Sequence, residues 1–123
     1  MSINPLRIAP VILPAFLAWG CAQMSNIAAW EHYDACAKQL ISFSGMVGCG
    51  RARLKEYCQT RASEPACGTL GNAVAAYADS LEKQIEDKRI TEPEARRKWA
   101  QFELLSPAEQ VRTSQAAIAA AAR

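Results

Sequence analysis

Apolar residues recur along this chain at helical spacing. Ala29, Tyr33, Cys36, Leu40 and Phe43 follow one another at steps of four, three, four and three, one face of a helix over about 25–44. Trp30, Ala37 and Ile41 widen that face, and Ser25 or Asn26 stands where a cap is needed. Ser44-Gly45 and Gly48-Cys49-Gly50 read as a turn. A second helix over about 51–61 places Leu54, Tyr57 and Cys58 inward, and a loop over 62–68 is broken by Ser63, Pro65 and Gly68. The third helix, about 70–88, carries the stripe Leu70, Val74, Tyr77, Leu81 and Ile85.

Two start signals follow. In Thr91-Glu92-Pro93-Glu94, the threonine can cap free amides while Glu94 reaches back, and Ile90 and Ala95 occupy the staple positions. Ala95, Trp99 and Phe102 then face inward. Ser106-Pro107-Ala108-Glu109 repeats the device, with proline at the first helical position. The closing run to Arg123 is rich in alanine, which favours helix but buries little area, so the segment 106–123 is expected to be helical and loosely docked. There is no strand-like alternation and no internal repeat. The expected fold is all-α: a small bundle of four to five helices.

The N-terminal segment has a different character. Residues 8–30 carry no charge, with Arg7 just before them and Glu31 the first acid. Their apolar part, 8–19, would span about 18 Å as a helix, short of a hydrocarbon core of about 30 Å. Pro10 and Pro14 also oppose a spanning helix. One positive charge, a short apolar stretch and small residues form the layout of a signal peptide, placed over 1–20.

The chain has 123 residues and 5 cysteines. Setting Cys21 aside leaves Cys36, Cys49, Cys58 and Cys67, the even number that a disulfide framework requires and that an oxidising compartment permits. The spacing has no close ligand pair, and the single histidine, His32, stands four residues before Cys36, so a zinc site is not expected. Cys49 and Cys58 on one helix would lie about 13 Å apart, beyond the roughly 7 Å limit for bridged Cα atoms. That disfavours pairing them. Cys36–Cys49 with Cys58–Cys67 is preferred because both loops are short, and Cys36–Cys58 with Cys49–Cys67 stays open.

The net charge of +2 gives no sign of a nucleic-acid partner. Ser80-Leu81-Glu82-Lys83 matches the S-x-x-K motif without its companions, and reads as two solvated neighbours on a helix. His32, beside Glu31 and Asp34, falls off the apolar stripe and reads as a polar-face residue. Lys88, Arg89, Arg96, Arg97 and Lys98 form the one basic cluster, a candidate contact patch laced with nearby acids. The sequence has no phosphate-cradling loop and no dinucleotide fingerprint. No catalytic residue, metal set or cofactor emerges, so a non-enzymatic role is expected.

Leu17-Ala18-Trp19-Gly20-Cys21 resembles the lipobox of bacterial lipoproteins, with Gly20 and Cys21 as the matching pair; the leucine stands four rather than three residues before the cysteine. The resemblance implies lipid attachment at Cys21, a domain over 21–105 on the periplasmic side of the outer membrane, and an envelope protein as partner. An ordinary cut after Ala22 would instead release a soluble binding or inhibitor module. Residues 77–103 are similar to the short bacterial helical hairpin called SHOCT, through Ile90, Thr91, Glu94 and Arg97, with Lys88-Arg89 where that module has glycine. The wider layout resembles small Gram-negative lipoproteins with a Trp-bearing first helix (Trp30), four cysteines, Tyr77-Ala78-Asp79 and Glu94-Ala95-Arg96-Arg97. That resemblance implies no reaction.

Overall fold

The computed structural model describes residues 27–39 and 41–122. The expected signal peptide, Cys21, the caps Ser25 and Asn26, and Leu40 lie outside those residues. Five α-helices follow in order: α1 (Ala29–Ala37), α2 (Phe43–Cys58), α3 (Thr69–Glu86), α4 (Glu92–Glu103) and α5 (Pro107–Ala121), with a 3-10 turn at Pro65–Cys67 between α2 and α3. No strand occurs among the described residues. The fold is all-α and carries two disulfides, Cys36–Cys49 and Cys58–Cys67, with Cα atoms 6.0 and 5.5 Å apart. This is the preferred pairing. None of the described helices is long and apolar enough to cross a membrane.

The N-terminal region departs from the expected pattern. The first helix stops at Ala37, and Phe43 begins α2. The two helices run in opposite directions, and Ser42 caps α2 by accepting from the Gly45 N–H at 3.0 Å. The predicted glycine turn is therefore helix. Its glycines answer a packing demand instead. A Cβ on Gly50 would fall deep inside the ring of Tyr33 from α1, so only glycine lets the two helices approach this closely. Gly48 faces open space and has no such role. At its start, α1 has Ala28 in the cap position, and Glu31 substitutes by accepting from the Ala28 N–H at 2.6 Å.

The helices α1 and α2 run antiparallel: the Ile27 N–H donates to Tyr57 Oη near the end of α2, while the Cys36–Cys49 bridge joins the end of α1 to the middle of α2. The start of α3 is pinned to the end of α2 by Cys58–Cys67, and Gly71 on α3 passes so close to the Ala66 carbonyl that a Cβ there would collide with it.

From α3 onward the predicted pattern holds. Val74 and Leu81 are buried, and Leu70, Tyr77 and Ile85 are partly buried against the core. Thr91 caps α4 by accepting from the Glu94 N–H at 3.3 Å, but the expected box is half-made, because the Glu94 carboxylate accepts from Thr91 Oγ1 rather than from the Thr91 N–H. Ser106 caps α5 in a complete capping box, with Glu109 accepting from the Ser106 N–H. The core is centred where Tyr33, Tyr77, Trp99 and Phe102 meet; Tyr77 stacks on Phe102 at 4.2 Å and Tyr33 tilts against Trp99 at 5.4 Å. Each fully buried side chain of this size contributes about 1.5–3 kcal/mol. Helix α5 lies along α3 and parallel to it: Pro107 and Val111 flank Leu70 near the α3 start, and Ile118 and Ala121 flank Asp79 and Lys83 farther along. The residues it buries are polar, Gln110 and Ser114, with Gln110 Nε2 donating to the Phe102 carbonyl at 3.1 Å.

Candidate functional site

The end of α2 and the start of α1 enclose an open cleft of about 500 Å³. Its floor is aromatic. The His32 ring lies 4.7 Å from that of Tyr57, and the Arg61 guanidinium stands 4.6 Å from the Tyr57 ring centre. Ile27, Arg53, Glu56, Gln59 and Thr60 form the rim. Tyr57 Oη donates to Glu64, which also lies 3.9 Å from Arg61, so the loop after α2 helps to set this wall. His32 itself is 5% exposed, and its Nε2 is buried without a hydrogen-bond partner. Burial first and the Arg53 charge second push its pKa down, with Glu31 opposing them. The cleft thus combines a buried imidazole with the side chains of Arg53 and Arg61.

A second unusual cluster lies where α1 meets α4. Glu103 faces Asp34, and burial together with the Asp34 carboxyl raises the Glu103 pKa to about 7. Glu103 Oε1 and Trp99 Nε1 are both buried without a hydrogen bond of normal geometry, although the indole N–H is close enough to favour the charged carboxylate. Nearby, burial raises the Tyr33 hydroxyl to about 12, with Asp79 adding to the effect and Arg51 opposing it.

The structure disperses some of the residues the sequence grouped. Arg96 donates to the Ile41 carbonyl at 2.6 Å, tying α4 to the α1–α2 connection. Arg89 instead lines a cavity of about 340 Å³ between α3 and α5, with Ser80, Lys83 and Asp87. Lys88 takes a left-handed conformation, φ 60°, at the end of α3, Arg97 is exposed and Lys98 is partly buried. Ser80 accepts from Gln84 Nε2 and Lys83 pairs with Asp87 at 3.6 Å. All four cysteines beyond Cys21 are consumed in bridges. Trp99 is in the core and Trp30 is partly buried.

The expectation of a polar-face His32 is corrected. A helix packed on two sides buries two faces, and Tyr57 of α2 covers the one that carries His32. Arg53, Tyr57 and Arg61 were not singled out as a group, although the stretch 51–61 carries four basic residues and one acid, a signal readable in the chain. The Asp34–Glu103 pair leaves no local sign, because its members stand far apart in sequence. Comparison with known proteins returns no match to this chain among family models, curated proteins or solved structures.

Proposed function

We propose that this chain is an envelope lipoprotein, cut after Gly20 and lipidated at Cys21, whose helical domain stands in the periplasm at the outer membrane and acts by contact rather than by catalysis. The observation that carries this reading is the cysteine arithmetic in three dimensions. The two bridges use Cys36, Cys49, Cys58 and Cys67, so Cys21 is left outside both, at the end of the lipobox-like Leu17–Cys21 segment. Two disulfides in so small a domain also suit an exported location. The role by contact draws support from the way reactive side chains are engaged: Glu31 with Ala28, Tyr57 with Glu64, Arg51 with Asp79 and Arg96 with Ile41.

The test is the intact mass of the protein from native membranes, before and after reduction. The expected result is a lipid-sized increment on a chain that begins at Cys21 and gains four hydrogens on reducing its two bridges. An unlipidated chain beginning at Gln23 would overturn the tether and make the protein a free periplasmic or secreted binding module.

A further inference from the structure

The cleft between α1 and α2 lies where the described chain begins. Ile27, 38% exposed, lines it, and the Ile27 N–H donates to Tyr57 Oη within it. Ile27 is six residues beyond Cys21. Fully extended, such a segment reaches about 20 Å. A lipid on Cys21 therefore keeps this end of the domain within about 20 Å of the bilayer surface, while the α3–α4 turn, at the far end of α3, is under no such constraint.

The chemistry of this end is suited to that surface. Arg51 is engaged with Asp79, but Arg53 is exposed on the rim of the cleft. Arg61 stands over Tyr57 with its side chain 45% exposed, and its ion-pair partner, Glu64, is 3.9 Å away. Of the acids at this end, Glu31 is occupied with the Ala28 amide and Glu64 with Tyr57 Oη, while Glu56 shares the rim with the two arginines. Guanidinium edges bind phosphate through paired hydrogen bonds, and an exposed isoleucine suits the boundary between headgroups and acyl chains.

We infer that the face formed by Ile27, Arg53 and Arg61 is a membrane-surface contact for anionic, phosphate-bearing headgroups of the bilayer that holds the lipid. The inference rests on lipidation at Cys21. Two arginines are too few to hold a free protein on a membrane, but the tether raises the local headgroup concentration enough for them to act. The contact turns the cleft toward the membrane and leaves the α3–α4 turn as the distal end of the domain.

The experiment uses the chain from Cys21 onward with both bridges formed and a maleimide phospholipid coupled to Cys21. The test of the face thus stays independent of native lipidation, which the intact mass decides. The protein is placed on phosphatidylcholine vesicles, and on the same vesicles with phosphatidylglycerol added. Arginine modification by phenylglyoxal is followed residue by residue. Arg53 and Arg61 are expected to react about fivefold more slowly on the anionic vesicles, with exposed Arg89 at the α3–α4 turn unchanged and the difference lost in high salt. Equal rates on both vesicles, or equal slowing at Arg89, would overturn the inference. Protection seen in native membranes but absent on pure lipid would assign the face to an envelope protein, and overturn it too. In the R53Q/R61Q variant, whose changes are on the surface, Lys55 reactivity toward an amine reagent should no longer depend on vesicle charge; a dependence that persists would also count against the face.

Discussion

The first two helices and the last three solve the same problem by different means. Helix α1 has only 9 residues and an alanine in its cap position, and α2 contains Gly45, Gly48 and Gly50. Short or glycine-rich helices are marginal by themselves. Both disulfides are in this region, joining α1 to α2 and α2 to the turn before α3. Helices α3 to α5 contain no cysteine, and α4 and α5 open with side-chain caps on Thr91 and Ser106. Covalent staples thus stand where local sequence is weakest, and capped helices with aromatic packing need none.

The contrast makes its strongest prediction at the bridges. Closing loops of this size lowers the entropy of the unfolded chain by an amount worth about 3 kcal/mol for either bridge. Cys36 is fully buried in the core, whereas Cys58 and Cys67 are only partly buried, so the C36A/C49A variant also leaves a cavity. We expect it to lose about 4 kcal/mol and C58A/C67A about 3, read as urea midpoints. Equal losses would show that the bridges act through loop closure alone.

Glycine substitutions sharpen the same comparison with opposite signs. Gly50→Ala forces a methyl into the Tyr33 ring and should cost about 2 kcal/mol. Gly48→Ala, two residues away in the same helix and facing open space, should add about 0.5–1 kcal/mol by removing backbone freedom from the unfolded chain. Thermal unfolding of the two variants should bracket the parent. A loss at Gly48 as large as that at Gly50 would mean that α2 is strained along its length.

These glycines also show where the sequence can be read. Stripes and caps are local, so the chain announces α3, α4 and α5 through Val74, Leu81, Thr91 and Ser106. In isolation, Gly48-Cys49-Gly50 looks like a turn, because the reason for Gly50 is a ring on another helix. The burial of His32 has the same origin, since α1 is covered on two sides and a single stripe accounts for one. The preferred disulfide pairing was legible because the loops are short. The cleft was legible only in part, as a basic run over 51–61, and its junction with Ile27 emerges only from the antiparallel packing of α1 on α2.

Acidity tests the seam between the two regions. The Glu103 pKa is raised from 4.5 to about 7, so between those values the folded protein holds a proton that the unfolded chain has released. That stabilisation is complete below about pH 4.5 and fades as the pH rises through 7. The full displacement corresponds to about 3 kcal/mol; since Glu103 is only partly buried, solvent screening leaves about 1–2. His32 works in the other direction. Its lowered pKa contributes stability above pH 6.5 that is lost as the pH falls through its folded value. Urea midpoints should therefore fall toward both acid and alkali. Glu103→Gln should remove the alkaline decline between pH 5 and 8 while leaving the acid one, and an unchanged alkaline slope would show that Glu103 is not the source of that decline.

The smallest effect is expected at Lys88, and it asks whether the capped region is itself optimised. Helix α3 ends with Lys88 in the left-handed conformation and Arg89 donating its N–H to the Gln84 carbonyl at 2.9 Å, a terminus that glycine commonly closes. A side chain costs about 1–2 kcal/mol in this conformation. Glycine removes that cost but gives back part of it through a more flexible unfolded chain. Lys88→Gly should thus stabilise by about 0.5–1 kcal/mol, measurable as a rise in thermal midpoint of a few degrees. Lys88 is exposed and appears in none of the ion pairs described, so its loss should remove no contact that offsets the gain. The result separates two accounts of the α3–α4 turn. A gain means that the turn is held against local strain by what surrounds it, including Ile90 packed against the core. A loss means that the Lys88 side chain contributes to the turn directly, and the C-terminal region then leans on side-chain contacts as much as the stapled region does.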